Sequence, residues 1–325
     1  MGKVGFKNLN QERIVFIIAA LIFIAASVGL PGFLRSANLI LIVRSISVLG
    51  ILAIGMGIVI IGRGIDLSMV AIMAMSTAWY LQLLGLGHSN QMAFTLVILG
   101  VLAVGALNGF LAAYADVPAI FVTLASGLFV FGYARSHLIT LDAVPVPPGH
   151  WLELLGQFRA ASIPADVFIF AGLCFVSFLF LRFTKWGRYI YFIGENPVAA
   201  RIAGIPVRPM VVLQYVLSAG FAFIAGLLTA ASLQSINTRV VNSNLLYDIV
   251  LVTVIGGIGL SGGKGGVRNV LIGAIMIGIL LNVMTMAGIS LLFQNLIKAV
   301  ILLIAIIFDG VVNPRDEQTA QQGDL

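Results

Sequence analysis

The chain has 325 residues, of which 60% are hydrophobic and 9% are charged, and its formal net charge at pH 7 is +6. An ordinary soluble domain carries about 25% charged residues, so this composition is that of an integral membrane protein and not of a soluble enzyme. The basic residues are scattered between apolar segments instead of forming one patch, which argues against a nucleic-acid partner.

The apolar segments predict an all-α polytopic membrane fold. A hydrocarbon core of about 30 Å takes roughly 20 helical residues, and these apolar residues run continuously, whereas those of barrel strands alternate. A cytoplasmic N-terminus (1–13) is expected before the transmembrane domain (14–308), and a cytoplasmic tail (309–325) after it. About ten spans are expected, at 14–34, 42–61, 67–86, 91–114, 118–140, 164–182, 210–232, 245–260, 267–288 and 290–308.

The N-terminus superficially resembles a secretory signal peptide, because Lys3, Lys7 and Arg13 precede the first apolar run. That run, however, extends for about 20 residues, longer than the usual h-region of roughly 7–15. No clean small-x-small cleavage site follows it. We therefore expect an uncleaved first transmembrane helix.

Lysine and arginine accumulate on the cytoplasmic side of membrane proteins, and here they predict that both termini are cytoplasmic. With the N-terminus inside, only Arg35, Arg159 and Arg239 face outwards. The basic residues that then face the cytoplasm are Lys3, Lys7, Arg13, Arg63, Arg182, Lys185, Arg188, Arg201, Arg208, Lys264, Arg268 and Arg315. Three others, Arg44, Arg135 and Lys298, fall within or near the ends of spans and are expected to reach the interface or to face protein.

Residues 141–163 form an outer loop that is rich in proline and contains a short amphipathic segment around Trp151–Phe158. One interpretation is an interfacial helix with Trp151 at headgroup depth. The other is a docking surface for an extracytoplasmic partner.

Residues 183–209 form the longest cytoplasmic loop and the most polar part of the chain. Asparagine suits the N-cap of a helix and proline its first position, so Asn196 and Pro197 predict a short helix over Pro197–Ala203. Gly204 would end it in the left-handed conformation, with Pro206 just beyond. Such a helix can dock another protein through its small side chains, or it can simply stiffen a turn.

The stretch GGIGLSGGKGG, residues 256–266, contains G-x-G-x-x-G at Gly257, Gly259 and Gly262. A dinucleotide fingerprint also needs a βαβ unit and an acidic residue about 20 positions later. Between Asp248 and Asp309 the sequence has no aspartate or glutamate. The dinucleotide interpretation therefore fails.

The same stretch does not form a Walker A loop, which needs glycine six positions before its lysine and serine or threonine after it. Around Lys264 these positions hold Ile258 and Gly265. We predict instead a turn between the eighth and ninth spans, in which glycine permits the close backbone approach that irregular structure at this depth requires.

Three polar residues mark a candidate translocation path or gate. Asp66, in GRGIDLS (62–68), is expected either to cap the third span, paired with Arg63, or to act in transport. Asn108, inside the fourth span, is expected to bond another helix or to contact substrate. Asp248, at the start of the eighth span, has the same alternatives as Asp66. The glycines assigned to this candidate site are Gly64, Gly256 and Gly257.

No residues suggest catalysis, a metal site or a cofactor. His88, His137 and His150 lie near the outer side without a second histidine at i+3 or i+4. The single cysteine, Cys174, cannot form an intrachain disulfide. No Ser/His/Asp or Cys/His arrangement emerges.

The chain resembles the transmembrane permease of ribose-type ABC sugar importers over most of residues 38–309. The segments that carry this resemblance are GRGIDLS, GALNGFLAAYADVPAIFVTLASG (105–127), WGRYIYFIGENPVAARIAGI (186–205), Tyr215–Gly226 and DIVLVTVIGGIGLSGGKGG (248–266). Their order and spacing are specific to that family.

The resemblance implies a bacterial inner-membrane importer of a monosaccharide or related polyol. Such permeases work as pairs of identical or related chains, receive sugar from a periplasmic binding protein, and are driven by a separate cytoplasmic ATPase. The ATPase docks on a coupling helix between spans six and seven. Carried over to this chain, the coupling loop comprises Gly187, Arg188, Gly194, Glu195, Asn196, Pro197, Ala199, Ala200, Arg201 and Gly204.

The chain departs from the family pattern at several positions. Glu195 replaces a small or neutral residue and is expected to tune the choice of ATPase. Leu251 and Val252 replace alanines, and Ile258 and Gly259 replace threonine or serine. The three bulky residues among these are expected to narrow or dry a nearby path, which puts a pentose substrate in doubt.

Two other functions remain open at this point. An ion- or proton-coupled carrier would need no ATPase, but such carriers place ionisable residues or broken helices near the midplane, and here the acidic residues fall at span ends and in loops. A membrane-bound enzyme or electron-transfer subunit is the second alternative.

Overall fold

A computed structural model describes residues 11–312 of the chain. Their backbone is almost entirely helical, as membrane segments must be when they satisfy their N–H and C=O groups internally. The helices are α1 (Gln11–Gly29), α2 (Ser36–Ile61), α3 (Met69–Gly85), α4 (Asn90–Tyr114), α5 (Ala119–Tyr133), α6 (Trp151–Gln157), α7 (Ala165–Phe183), α8 (Lys185–Glu195), α9 (Pro197–Ile202), α10 (Val207–Leu233), α11 (Leu245–Gly256), α12 (Val267–Met286) and α13 (Leu291–Val312). A π-helical turn, Ala134–Leu138, continues α5, and a 3₁₀ helix, Thr238–Asn242, precedes α11.

Seven helices of the described chain are long and apolar enough to cross a membrane, by length and composition. They are α1, α2, α4, α5 with its π-helical turn, α7, α10 and α12. Shorter apolar helices, α3, α11 and the stretch Leu291–Ile307 of α13, occupy the positions of the predicted third, eighth and tenth spans. The all-α polytopic fold is thus confirmed, and the count of ten spans stays a prediction.

Helices α2 and α10 lie at the centre of the bundle. Helix α10 packs against α4, α2 and α3, and α2 also contacts α12, α11 and α7. Small residues permit the closest of these approaches. A Cβ on Gly105 of α4 would lie only 2.8 Å from the carbonyl oxygen of Tyr215 on α10, so the two backbones pack directly together there.

Several predicted helix boundaries are wrong by a few residues. Helix α1 ends at Gly29 instead of residue 34, because the residue before Pro31 is disfavoured in the helical conformation. Helix α2 begins at Ser36 instead of residue 42. Its polar Asn38 is satisfied there, since the side-chain amide donates to the carbonyl oxygen of Phe33 and to Asn282 on α12. Polarity alone therefore did not mark the start of this helix.

The predicted eighth span, 245–260, also extends too far. Helix α11 ends at Gly256, because Gly257 adopts the left-handed conformation with φ +96° and its N–H bonds back to the end of the helix. Within the predicted loop 183–209, the chain forms α8 as well as the expected short helix. Helix α8 is amphipathic, with Ile190 and Ile193 buried and Arg188 exposed.

The amphipathic segment predicted in the outer loop forms α6. Leu152 is buried, and a Cβ on Gly156 would collide with the carbonyl oxygen of Ala231 on α10. Two small antiparallel sheets, which the sequence did not predict, hold this region. Strand β1 (Ala143–Pro145) pairs with β4 (Ser235–Asn237), and β2 (Arg159–Ala160) pairs with β3 (Ile163–Pro164).

The three basic residues that fall within or near span ends each face a carboxylate. The pairs are Arg44 with Asp166 at 3.3 Å, Arg135 with Asp142 at 2.7 Å, and Lys298 with Asp248 at 2.7 Å. The expectation that these basic residues face protein is therefore confirmed. An unpaired charge inside a membrane span would be costly.

Candidate functional site

Three segments distant in sequence meet beside the end of α2. We call this meeting point the glycine junction: Gly62–Gly64 after α2, Gly194 and Glu195 at the end of α8, and Gly262–Gly265 before α12. The guanidinium of Arg63 donates to the carbonyl oxygens of Gly194, at 2.7 Å, and Glu195, at 2.8 Å. The segments GRG, GEN and SGGKGG, all of which carry the family resemblance, therefore lie in one place.

The loop before α12 is fixed to the same junction by two more hydrogen bonds. The N–H of Gly263 donates to the carbonyl oxygen of Ile61 at 2.8 Å. The hydroxyl of Tyr191 on α8 donates to the carbonyl oxygen of Gly265 at 2.8 Å. Burial raises the pKa of Tyr191, so this hydroxyl keeps its proton and remains a donor at neutral pH.

Glycine is required in the junction because the backbones touch. A Cβ on Gly194 would collide with the carbonyl oxygen of Ile61 and the amide nitrogen of Gly263. Gly263 itself has φ +73°, and a Cβ there would lie 2.9 Å from the amide nitrogen of Glu195. The predicted role of the glycine-dense loop, close backbone approach, is confirmed.

The short helix expected after Asn196 is present as α9. The side-chain oxygen of Asn196 accepts from the N–H groups of Val198 and Ala199, each at 3.0 Å, and Pro197 occupies the first turn. Helix α9 ends at Ile202, one residue earlier than predicted, and Gly204 follows with φ +78°.

The coupling-loop residues divide into an inner and an outer set. The buried residues Gly187, Gly194 and Ala200 fasten α8 and α9 to the bundle. Asn196 and Pro197 are half-buried. The exposed residues of the loop are Arg188, Glu195, Ala199, Arg201 and Gly204, flanked by the exposed apolar side chains of Val198 and Ile202. A rigidly mounted helix thus presents a basic residue between apolar ones.

Asp66 and Asn108, two of the predicted path residues, belong to one buried cluster. The prediction that Asp66 caps the third span is wrong in its geometry, because α3 begins only at Met69. Both residues are completely buried. The Asp66 carboxylate accepts from the N–H and hydroxyl of Ser68 and from the hydroxyl of Ser218 on α10, the last at 2.6 Å.

Asn108 of α4 joins this cluster by donating to the hydroxyl of Ser68 at 3.0 Å. The cluster therefore ties the turn before α3 to both α4 and α10. This arrangement matches the helix-bonding interpretation of Asn108, and it gives Asp66 an anchoring role in the same network.

The other predicted path residues lie elsewhere. A Cβ on Gly64 would meet the hydroxyl of Tyr215, and one on Gly256 would collide with the carbonyl of Asn269 on α12. These glycines serve close packing. Asp248 lies near the start of α11, at the opposite end of that helix from Gly256 and Gly257.

A groove between α11 and α13 contains polar side chains that the sequence analysis did not assign to a site. We call it the polar groove; its volume is about 390 Å³, and the Asp248–Lys298 ion pair lies beside it. Its lining residues include Asn244, Tyr247, Leu251, Asn295, Lys298 and Leu302. The missed signal was Asn295 and Lys298 at i and i+3 within an otherwise apolar span, since such residues share a helix face.

The bulky departures from the family pattern do not share one place. Leu251 lines the polar groove. Val252 and Ile258 are enclosed between helices, Val252 beside Gly273 of α12 and Ile258 beside Gly57 of α2. Only Leu251 of these three is therefore placed to act on a solute in the groove.

The outer loop is held by polar contacts to α3 and α4, the latter between a ring nitrogen of His150 and the side-chain oxygen of Asn90 at 3.2 Å. Trp151 donates its indole N–H to the Tyr80 hydroxyl at 3.1 Å, and a ring nitrogen of His150 accepts from the N–H of Leu152 at 3.4 Å. Partial burial lowers the pKa of His150. The neutral ring is the form that can accept this bond.

The described residues offer hydrogen bonds, ion pairs and a rigidly mounted surface helix. Within residues 11–312, no group of three or more His, Cys, Asp or Glu side chains is placed to hold a metal ion. Chemically, the arrangement can bind a polar solute in the groove and transmit movement from α9 through the glycine junction into α2 and α12.

Comparison with known proteins gives consistent matches over nearly the whole chain. A family model described as the permease component of the branched-chain amino acid transport system matches residues 38–307. The ribose import permease protein RbsC of Escherichia coli (strain K12) is 32% identical over 93% of this chain and 94% of its own length. The L-arabinose ABC transporter permease protein AraH of Azospirillum brasilense is 30% identical, over 93% and 88%. The galactose/methyl galactoside import permease protein MglC of Escherichia coli (strain K12) is 28% identical, over 96% and 97%. No solved structure matches the chain.

Proposed function

We propose how a solute crosses this protein from one premise: the chain belongs to the transport-system permease family and is the permease subunit of a monosaccharide ABC importer. It is a multi-pass protein of the inner membrane. The curated relatives are named for ribose, L-arabinose and galactose, so the proposed cargo is a monosaccharide or a related small polyol.

The proposed assembly has two permease chains, identical or related, around an axial path. A periplasmic binding protein delivers the sugar on one side and a separate ATPase acts on the other. All ten predicted spans cross the membrane in this assembly, including the shorter α3, α11 and α13. The positive-inside distribution of lysine and arginine supports cytoplasmic termini and a cytoplasmic position for α8 and α9.

The glycine junction is the observation that carries this proposal. Helix α9 is the docking site for the ATPase, and Arg201 with its apolar neighbours Val198 and Ile202 forms the contact. Movement imposed on α9 passes through Arg63 to α2 and through Gly263 to the segment between α11 and α12. ATP binding in the partner then shifts the permease between inward-open and outward-open states.

Leu251 also affects which substrates we propose. This side chain stands where the resembling permeases have alanine, and it lines the polar groove. A leucine side chain leaves less space than an alanine, and its apolar surface favours less hydrated solutes. The proposed cargo is therefore a monosaccharide or polyol that need not be a pentose.

The test is uptake by proteoliposomes that contain the chain, its ATPase and its binding protein, with ribose, L-arabinose and galactose as radiolabelled probes. Uptake of at least one sugar that requires ATP hydrolysis and survives an uncoupler is expected. Uptake that continues without ATP and collapses with the uncoupler would replace this proposal by the ion- or proton-coupled carrier.

A further inference from the structure

The polar groove has two chemically different ends. Its polar end is lined by Asn244 and Tyr247 at the start of α11 and by Asn295 and Lys298 in the first half of α13. Asp248 lies beside this end as the ion-pair partner of Lys298. The apolar end of the groove comes from residues further along the same helices. These are Leu251, Leu302, Leu303 and Ile306.

Lipid tails are a poor occupant for the polar end. Asp248 and Lys298 form a 2.7 Å ion pair, and 11% of each side chain remains exposed. Two amide side chains, Asn244 and Asn295, open into the same space. Amides and charges in contact with hydrocarbon lack hydrogen-bond partners, and intramembrane charges therefore face protein or a water-filled cavity. The groove is expected to hold water or a polar solute.

The side chains of the polar end match the chemistry of a sugar. Ring hydroxyls donate and accept hydrogen bonds, and Asn244, Asn295, Lys298 and Asp248 together supply donors and acceptors. The ring of Tyr247 is 61% exposed and offers an apolar face for sugar C–H groups. The groove volume of about 390 Å³ lies within the roughly 300–1,000 Å³ typical of small-molecule sites.

We infer that the polar groove is a sugar-contacting section of the translocation path, in which the Asp248–Lys298 pair and the amides of Asn244 and Asn295 bind the hydroxyls of a monosaccharide. Leu251 lines the apolar end of this section. The inference rests on the proposed function, which requires a path but does not place it. The occupant is a sugar, and a second copy of the chain seated on the groove is the competing outcome of the test.

Cysteine labelling tests whether the groove is accessible to water. The chain has one native cysteine, the buried Cys174, so Cys174→Ala gives a permease chain without thiols, and labelling is measured on this chain alone. Ala299→Cys places a thiol in the groove lining, and Val300→Cys places one at the next residue, exposed but outside the lining. Both are treated with the water-soluble reagent MTSES in membranes that contain the assembled transporter.

The thiol on residue 299 is expected to react at least roughly tenfold faster than that on residue 300, because the reagent needs a hydrated thiolate. Sugar-loaded binding protein, with ribose, L-arabinose or galactose as the probe, is expected to slow this reaction. Equal rates would overturn the inference. A disulfide between two copies through residue 299, without MTSES reaction, would overturn it in favour of an interface between permeases.

A double substitution separates sugar contact from a purely structural ion pair. Apolar replacement of both partners in a buried pair is often neutral for folding, so Asp248→Leu with Lys298→Met should still assemble with the ATPase. We expect uptake to fall by at least about tenfold, the loss of one charged hydrogen bond, while ATP hydrolysis stimulated by loaded binding protein persists. Normal uptake by the double variant would overturn the sugar contact.

Two different measurements distinguish an error in this inference from an error in the proposed function. ATP-driven uptake by the Cys174→Ala parent tests the proposed function, whichever part of the protein the sugar passes through. If the parent transports sugar and the labelling rates are equal, the proposed function stands and the path lies elsewhere. If the double variant fails to assemble, the labelling pair still decides the inference.

Discussion

Gly263→Ala is expected to damage the glycine junction by two effects that add. Gly263 has φ +73°, and the left-handed conformation costs an alanine roughly 1–2 kcal/mol. The new Cβ would also lie 2.9 Å from the amide nitrogen of Glu195, where ordinary contact begins at 3.4 Å. Relieving that contact adds about 1–3 kcal/mol by analogy with overpacked cores, for a total of roughly 2–5 kcal/mol.

Gly288→Ala is the matched control, because Gly288 has φ +70° but a Cβ there would have no atom within 4 Å. It carries the conformational cost alone. A thiol-reactive dye measures the melting temperature in detergent, since the only thiol, Cys174, is buried in the native fold. At about 2 °C per kcal/mol, falls of roughly 4–10 °C for Gly263→Ala and roughly 2–4 °C for Gly288→Ala are expected.

ATP-driven uptake provides the functional comparison for this pair of variants. Gly263→Ala is expected to lower uptake per ATP hydrolysed, because the junction joins α8 to α2 and to the loop before α12. Gly288→Ala should leave that ratio unchanged. Equal melting shifts and equal coupling ratios for the two variants would refute the role of close packing at the junction.

Three further predictions concern charge and pH. Asp166→Ala leaves the Arg44 guanidinium without its buried carboxylate and should lower the stability by about 3–5 kcal/mol. Asp166→Leu combined with Arg44→Met leaves no unpaired charge and should cost less, with the remaining loss due to the hydrogen bonds of Arg44 to Gly156 and Ser232; similar melting of both variants would contradict this. The pKa of His150 is lower in the folded protein than the unfolded value of 6.5. The stability that the neutral ring contributes is therefore present above pH 6.5 and is lost as the pH falls below that value. Fluorescence from the neighbouring indole should change on acidification and should stay constant in His150→Asn. Arg239→Ala removes an ion pair in which the arginine side chain is 75% exposed, and a stability change above about 1 kcal/mol would be unexpected.

The sequence predicted those parts of the fold that depend on local patterns. Continuous apolar runs located the membrane helices, because burial in a bilayer imposes length and composition on each segment separately. The Asn196-Pro197 pair predicted α9 to within one residue, because capping is also local. The glycine density of residues 256–266 predicted close backbone approach, although not the partner that approaches.

The remaining parts depend on contacts between residues far apart in the chain. The sequence did not predict helix α8, because the segment that holds its tyrosines and tryptophan was interpreted as part of a polar loop between spans. Its isoleucines are buried only by packing against the bundle. Pairing of β1 with β4 joins residues about 90 positions apart, and no local signal marks it. Asp66 was assigned to a helix start, and its partner Ser218 lies on α10.

The residues of the polar groove could not be predicted together for the same reason, because they are distant in sequence. Asp248 was identified from the sequence, but its partner Lys298 was expected only to reach the interface or face protein. Asn244, Tyr247 and Asn295 stayed unassigned, because the side chains converge only when α11 packs against α13. Residue type predicted the chemistry of the groove, and tertiary packing determined which residues form it.

The most direct test of ATPase docking is an affinity pull-down of the tagged chain from mild-detergent membranes of its own host, with stoichiometric companions identified by mass spectrometry. The variants are Arg201→Glu, on the exposed face of α9, and the control Arg208→Glu, which makes the same charge change on an exposed residue stacked over Tyr114. A companion with a Walker A motif that is retained by the native chain and Arg208→Glu, and lost with Arg201→Glu, is expected. Recovery of that companion with Arg201→Glu would contradict docking on α9. Recovery of the native chain alone, where a known ATPase–permease complex survives, would contradict the ATP-driven assembly itself.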